Sequence, residues 1–546
     1  MENAYNGARI LVETLAELGA RTVFGIPGIH NLAVYQALLD SPIRHVTSRN
    51  EAGAGFMADG FGRATGRPGV ALVITGPGLT NITTALGEAY RDAVPLLVIS
   101  SQVPRTHLER NTGYLHDLKN STIMLSSVTK ESRSVSRGEM IAETVRQAYA
   151  LAQVGRPGPV HVEIPLDLLE EPLPAAAASE ADSAGGLSAA LLQAADHLRD
   201  GARPLLVVGG GAGAAGPEVL RLARLLDAPV VTTAAGKGIV DERDPLCIGG
   251  RLHLPAVRGL IAKAHPLVVL GSELSPTDLW FDDLPASGPV VTINAEPMDL
   301  YRTLRPTVGI AGRLEKLVPA LIDALAAGAG AQGPGEREPR RTPDGASLVK
   351  DAIRRGSDEL PGVLGQTPER IARMREVLLA IRRALPEEGL LSIDMTTIAY
   401  VALSEFPCYR PRSFLHPVGF GTLGYALPAG IGAKIADPAR PVAVVTGDGG
   451  FQFTMQELGV AAEEGIALPV IIWDDDGYGE IRRTEDERHP GRRIAVDNRN
   501  PDFLALANAY GIPGSSPRTP AQIERRVAAA LKGSGPEIIQ IRGGTE

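Results

Sequence analysis

The residues best equipped for chemistry lie between Val442 and Arg482, where the chain reads VAVVTGDGGFQFTMQELGVAAEEGIALPVIIWDDDGYGEIR. Residues 442–446 and 468–473 are short apolar runs, the pattern of buried parallel strands. The first ends in Gly447-Asp448-Gly449-Gly450 and the second in Asp474-Asp475-Asp476, with helical spacing over 451–464 between them. Glycine lets the backbone turn sharply and approach a ligand. Ligands of open α/β sheets bind beyond the carboxyl ends of the strands. Asp448, and Asp475 27 residues on, can therefore present carboxylates from two strand ends to one hard cation. Carboxylate, carbonyl and phosphate oxygens together suit Mg²⁺, which commonly bridges to phosphates. Taken alone, a GDG turn with an acidic loop is equally a solvated βα connection.

Further elements must bring other groups to such strand ends. Residues 22–25, 70–75, 96–100 and 160–164 read as strands alternating with helices, a doubly wound pattern. Gly25-Ile26-Pro27-Gly28-Ile29-His30-Asn31 makes a tight strand-to-helix turn, and Arg49-Asn50-Glu51 opens a helix over 52–66. Gly76-Pro77-Gly78-Leu79-Thr80-Asn81 is another such turn, whose helix can aim free N–H groups at a ligand. His116 sits in a Gly-Tyr-Leu-His-Asp loop. The strand pattern repeats at 204–208, 229–233, 266–270 and 290–294, where Gly209–Gly213 lacks the full dinucleotide-loop spacing. It returns at 390–393, which ends in Asp394-Met395-Thr396-Thr397, and the glycine-rich stretch GFGTLGYALP follows at 419–428.

Bulk composition narrows the function class. A chain of 546 residues, 44% hydrophobic and holding 62 glycines, has ample core for several domains. A net charge of −9 disfavours nucleic acid or an anionic membrane as partner. The two cysteines, Cys247 and Cys408, lack metal-site spacing and suit packed thiols in a reducing, cytoplasmic compartment. No signal-peptide core and no membrane-length apolar run is apparent. Segments 174–188 and 327–346 have linker composition.

In this order, and over nearly the whole chain, these motifs resemble the thiamin diphosphate-dependent enzymes of the acetolactate synthase and 2-oxo acid decarboxylase superfamily. The resemblance implies an α/β fold of three doubly wound parallel-sheet domains. These are a pyrimidine-binding domain at 1–185, a central domain at 190–330 and, after a linker at 331–366, a diphosphate- and Mg²⁺-binding domain at 367–546. It carries the metal ligands onto Asp448, Asp475 and the carbonyl of Gly477. The chain departs from the family here, with Asp474-Asp475 where Asn-Asn is usual, which adds negative charge beside a diphosphate. Cofactor contacts fall on Pro27, Gly28, Asn81, Thr396, Thr397, Gly421, Thr422, Gly447, Gly449, Gly450, Tyr478 and Gly479, with Leu423 as the apolar wedge beneath the bent cofactor. FAD is not expected in the central domain.

Glu51 takes the place of the family's activating carboxylate, which hydrogen-bonds the aminopyrimidine ring nitrogen. A buried carboxyl in that place can share a proton near neutrality; a helix N-terminal acid held by the dipole is the plainer role. His30 and His116 fall at positions that reach the active site in some relatives, and each also suits a polar turn. Asn81 suits a helix cap as well as a cofactor contact. Ile29 and Glu480 match substrate-lining positions, and Glu480 also has Arg483 near it on the same helix. With Asp476 and Glu485 nearby, an acidic pocket would select a cationic side chain. Phrases such as GFMADGFGRATGRPG and DGYGEIR resemble decarboxylases of 5-guanidino-2-oxopentanoate (2-ketoarginine). The reaction so implied is non-oxidative decarboxylation of a 2-oxo acid to an aldehyde and CO₂, by a homodimer or homotetramer with its site at a subunit interface. Acetolactate synthase-like carboligation, C–C lysis and a non-catalytic paralogue with an impaired metal site are the alternatives.

Overall fold

Runs of Val, Ile and Leu with no polar alternation must be covered on both faces, so they assemble as parallel strands between helices. The computed structural model describes residues 6–108, 110, 113–173, 188–281, 284–300, 302–329 and 344–543. Three six-stranded sheets form among them. The first contains β1 (Thr22–Gly25), β2 (Arg44–Thr47), β3 (Gly69–Val73), β4 (Leu96–Gln102), β5 (Glu131–Ser134) and β6 (Pro159–Pro165), in the order β2-β1-β3-β4-β6-β5. The second contains β7 (Leu205–Val208), β8 (Val230–Thr232), β9 (Cys247–Gly249), β10 (Leu267–Leu270), β11 (Val290–Asn294) and β12 (Val308–Ala311), in the order β12-β11-β10-β7-β8-β9. The third contains β13 (Leu390–Ile393), β14 (Phe414–Leu415), β15 (Val442–Gly447), β16 (Leu468–Asp474), β17 (Gly514–Ser515) and β18 (Pro536–Arg542), in the order β14-β13-β15-β16-β18-β17. Every pairing within the sheets is parallel. The expected three-domain α/β architecture is the observed one.

Five helices position the site: α1 (Glu51–Thr65), α2 (Pro77–Arg91), α3 (Ala426–Ala436), α4 (Asp448–Thr454) and α5 (Gly479–Arg488). The single helix expected over 451–464 is broken by a 3-10 turn, Met455–Glu457, before Leu458–Glu463. Helices α1 and α3 cross in direct backbone contact and join the first and third domains in one apolar core. A Cβ on Gly60 would strike the Ala429 carbonyl, and one on Gly432 would strike that of Met57. Beside this crossing the Tyr425 hydroxyl donates to Asp59 at 2.9 Å, and Asp59 also pairs with Arg63 at 2.7 Å.

The segment expected as linker over 331–366 carries a 20-residue helix, Gly345–Leu364. It buries Val349, Ala352, Gly356, Leu360 and Leu364, one stripe of a helix otherwise rich in Arg, Asp and Ser. Its N-terminal turn is fixed by the Asp344 carboxylate, which accepts from the Ser347 N–H at 2.7 Å. The linker composition at 174–187 and 330–343 lies outside the described residues. In the central domain the Gly209–Gly213 loop permits close packing, since a Cβ on Gly209 would strike the Gly271 carbonyl. Both cysteines are buried and unpaired, and burial pushes the Cys408 thiol up to about 12. No helix among the described residues is long and apolar enough to cross a membrane.

Candidate active site

Four loops at the carboxyl ends of β1–β4 build one half of the site. Pro27 and Gly28 follow β1, and the Asn31 carboxamide ties the turn by accepting from the Gly28 N–H at 2.8 Å. Glu51 opens α1 after β2. Asn81 lies in the first turn-and-a-half of α2, after β3, and its side-chain amide donates to Glu51 at 2.8 Å. His116 follows β4 in a left-handed conformation, φ 67°, with its backbone against Gly76. His30 and His116, far apart in sequence, meet with ring centroids 5.0 Å apart. The Nδ1 atom of each is buried without a hydrogen-bond partner. Burial, then the neighbouring His116, lowers the His30 pKa. Of the residues expected to be catalytic, the structure brings His30 and His116 together, and it orients Glu51 through Asn81. In the single chain Glu51 is half-buried and Asn81 exposed, and Ile29, in the turn after β1, is 70% exposed.

A third-domain residue that the sequence did not single out fixes this half. Glu457, in the break after α4, accepts from the backbone N–H of Arg49 and Asn50 at 3.1 and 3.0 Å, at the start of α1. Burial pushes its carboxyl up to about 7. Any side chain at Gly53 would collide with it. The only hint in the sequence is an acid inside an apolar helical pattern.

The other half sits at the carboxyl ends of β13, β15 and β16. Asp448, the first residue of α4, accepts from the Gly477 N–H and from the Asn500 amide, each at 2.6 Å. Burial pushes its carboxyl up, against these hydrogen bonds. Gly477 has φ 125°, and its carbonyl accepts from the Gly479 N–H at 2.9 Å. Asp474 is buried and accepts from Asn500, Gln540 and Arg542. Asp475 pairs with Arg370 at 2.8 Å and accepts from the Thr397 hydroxyl at 2.7 Å. The additional charge brought by aspartate in place of asparagine is therefore met by a guanidinium. Neither Arg370 nor Asn500 carries a sequence motif, and only the fold brings them here.

Glycines keep this half open for a ligand. A Cβ on Gly447 would lie 2.7 Å from the Thr396 hydroxyl, one on Gly449 2.8 Å from the Tyr478 ring, and one on Gly450 2.9 Å from Asp394. Asp394 is fully buried and pushed up to about 6 by burial. It ties the glycine-rich stretch to β15, accepting from the Gly424 N–H and the Thr446 hydroxyl at 3.0 Å each. Gly421 adopts φ 71° and is exposed, and Leu423 is half-buried beside it. The Thr422 hydroxyl is committed to Glu88 of the first domain at 2.9 Å. Glu480 is likewise committed, to Arg483 at 2.6 Å.

The donor set fits a diphosphate held through Mg²⁺. Asp448 and Asp475 are carboxylates with lone pairs to spare beyond their present hydrogen bonds, the Gly477 carbonyl is a third oxygen, and all are hard ligands. The buried Nδ1 atoms of His30 and His116 leave polar capacity unused in the first-domain half. No described contact joins the Glu51–Asn81 pair to the Asp448 loops within one chain.

Family models agree with this division. The thiamine pyrophosphate enzyme N-terminal TPP binding domain matches residues 5–123, the central domain 191–321 and the C-terminal TPP binding domain 394–541. A Pseudomonas aeruginosa protein named probable 2-ketoarginine decarboxylase AruI is 39% identical, over 99% of this chain and 94% of its own. A probable acetolactate synthase large subunit of Methanocaldococcus jannaschii is 30% identical, over 98% of this chain and 91% of its own. The acetolactate synthase isozyme 1 large subunit of Escherichia coli is 27% identical, over 98% and 94%. With three matched domains and a full-length relative at 39% identity, the chain belongs to the thiamine pyrophosphate-dependent enzymes.

Proposed function

We propose that this protein is a Mg²⁺- and thiamin diphosphate-dependent decarboxylase of 2-oxo acids, and that its substrate carries a cationic side chain. The observation that carries the reading is the 39% identity, along 99% of the chain, to a protein named as a probable 2-ketoarginine decarboxylase. The thiazolium supplies an electron sink for the bond to CO₂. Asp448, Asp475 and the Gly477 carbonyl hold the metal. Thr396 offers its hydroxyl at the end of β13, Thr397 offers its backbone N–H with its hydroxyl given to Asp475, and Gly447, Gly449 and Gly450 let the backbone approach. Pro27, Gly28, Gly421, Leu423, Tyr478 and Gly479 frame the same space. Glu51, oriented by Asn81, holds a proton at the pyrimidine ring nitrogen. His30 and His116 handle protons at the substrate, and a neutral His30 suits that role. Ile29 and Glu480 stand at the substrate side.

The working unit is at least a dimer, with the Glu51 half of one subunit facing the Asp448 half of another. This is supported by the exposed apolar side chains near both halves: Ile29, Leu32 and Leu115 on one, Phe453 and Ile481 on the other. The test is CO₂ release with product identification from 2-ketoarginine, pyruvate and benzoylformate, with Glu51→Gln as control. Glu51-dependent conversion of 2-ketoarginine to its aldehyde supports the reading. The acetolactate synthase relatives favour carboligation as the second reading; acetolactate from pyruvate as the sole product would establish it.

A further inference from the structure

We propose that the cleft between the central and third domains is the subsite for the substrate's cationic end, with Asp278 as its anionic anchor; this rests on the decarboxylase reading above. The cleft encloses about 310 Å³, within the range of small-molecule sites. Asp278, Trp280 and His253 line it from the central domain, and Met395, Tyr400 and Val418 from the third. Its third-domain wall is continuous with the expected cofactor segments. Met395 immediately precedes Thr396, and its Cε would lie 3.6 Å from a Cβ on Gly421. Tyr400 lies on the helix that starts at Thr397, Thr397–Glu405. A molecule bound along those segments can therefore reach into the cleft.

The chemistry of the wall is one-sided. No Arg or Lys is among the described residues that line the cleft. His253 is held neutral, its pKa lowered to about 3 by burial and by Arg251 and Lys237. Asp278 accepts from the Ser275 hydroxyl at 3.2 Å, and among the described residues it has no ion-pair partner. Burial, with Asp92 and Glu273 near, pushes its carboxyl up to about 7. A carboxyl so placed gains from any cation that enters. By contrast, Glu480 already has its guanidinium in Arg483.

Beside Asp278 stands an aromatic wall suited to a planar cation. The Trp280 ring lies 4.3 Å from His253 and meets the Tyr400 ring edge-on at 5.8 Å. Trp280 is 38% exposed and sits at φ 56°, a costly conformation for a bulky residue and one characteristic of functional sites. A guanidinium can stack on such rings while its fork meets a carboxylate. An uncharged side chain in the same place would leave Asp278 desolvated and unpaired, which is how a polar site rejects an isostere.

The test compares 5-guanidino-2-oxopentanoate with its neutral isostere 5-ureido-2-oxopentanoate, on enzyme loaded with thiamin diphosphate and Mg²⁺. Binding of 5-guanidinopentanoate, measured by calorimetry, runs beside it. The wild type should prefer the guanidino acid in kcat/KM by at least about tenfold. Asp278→Asn should lower kcat/KM for the guanidino acid, and affinity for 5-guanidinopentanoate, by about 100-fold, the usual size for one partner of a desolvated pair. The same variant should turn over the ureido acid within about threefold of wild type, which also shows that it folds. Asp278→Glu should recover part of the loss. Equal losses on both acids, or no loss on the guanidino acid, overturn the subsite. Decarboxylation by the wild type with no preference for the cation removes the subsite and leaves the decarboxylase standing. Absence of CO₂ release from every acid removes the decarboxylase; calorimetry then decides the subsite, Asp278-dependent binding supporting it and no binding overturning it.

Discussion

Replacing Arg370 with methionine removes the guanidinium from Asp475 and keeps a side chain able to fill the space. The pair is 2.8 Å apart, with the Asp475 side chain 6% exposed and that of Arg370 27%. Breaking a fully buried ion pair costs about 3–5 kcal/mol. Solvent access at Arg370 and the Thr397 hydroxyl left on Asp475 reduce this to about 1.5–3 kcal/mol. In the loaded enzyme that cost falls on binding, because the uncompensated carboxylate stands beside a diphosphate. Thiamin diphosphate affinity at saturating Mg²⁺, measured by calorimetry, should drop by about 10- to 100-fold. Asp475→Asn in the same chain removes the unmatched charge, so Arg370→Met/Asp475→Asn should bind within about threefold of wild type. The double-mutant cycle should therefore show a coupling of at least about 1 kcal/mol. Equal weakening in Arg370→Met and in the double variant would refute charge compensation and leave Arg370 a packing residue.

Other consequences are as direct. Glu457 has its folded-state carboxyl pKa raised to about 7, so the folded chain holds that proton more tightly than the unfolded chain. Stability from this group is present at low pH and is lost as pH rises from about 4.5 to about 7, by up to about 3 kcal/mol. Glu457→Gln lacks this slope, so its urea midpoint should gain on wild type across that window; a constant difference would contradict the assignment. Asn81→Ala removes the side-chain donor to Glu51 from an exposed position, so kcat should fall about 10- to 100-fold with the thermal midpoint unchanged. Gly432→Ala puts a methyl group against the Met57 carbonyl, with no side chain to give way, and should cost about 3 kcal/mol or more in thermal unfolding.

Much of the fold was legible because buried parallel strands announce themselves. The apolar runs at β10, β11, β13, β15 and β16 match their observed strands to within one residue at either end. Strands β5, β9, β12, β14, β17 and β18 were not, and β2 was legible only as a strand end before Arg49. Arg44–Thr47 and Glu131–Ser134 are polar edge-region strands, and Phe414–Leu415 has two residues. They are strands because a neighbour pairs with them, a condition their own sequence does not state. The helix Gly345–Leu364 was legible only as a short helix and loop over 347–366, since its apolar stripe is sparse and makes sense only against the central and third domains.

The site divided along the same line. Asp448, Gly477 and Glu51 lie in motifs whose glycines and spacing have local causes. Arg370, Asn500 and Glu457 act through contacts across domains or between distant loops, and nothing local marks them. Glu480 is an acid in the expected place whose nearest guanidinium, Arg483, stands three residues on in the same helix.

The central claim is that Glu51 works on a thiamin diphosphate held by the Asp448 half of the site. Hydrogen–deuterium exchange at C2 of the bound cofactor, followed by NMR with Mg²⁺ present, tests it most directly. Wild-type protein should accelerate exchange over free cofactor, and Glu51→Gln, shown by calorimetry to bind equally, should lose about 10²–10⁴-fold of that rate. Equal exchange in the two proteins would contradict the account.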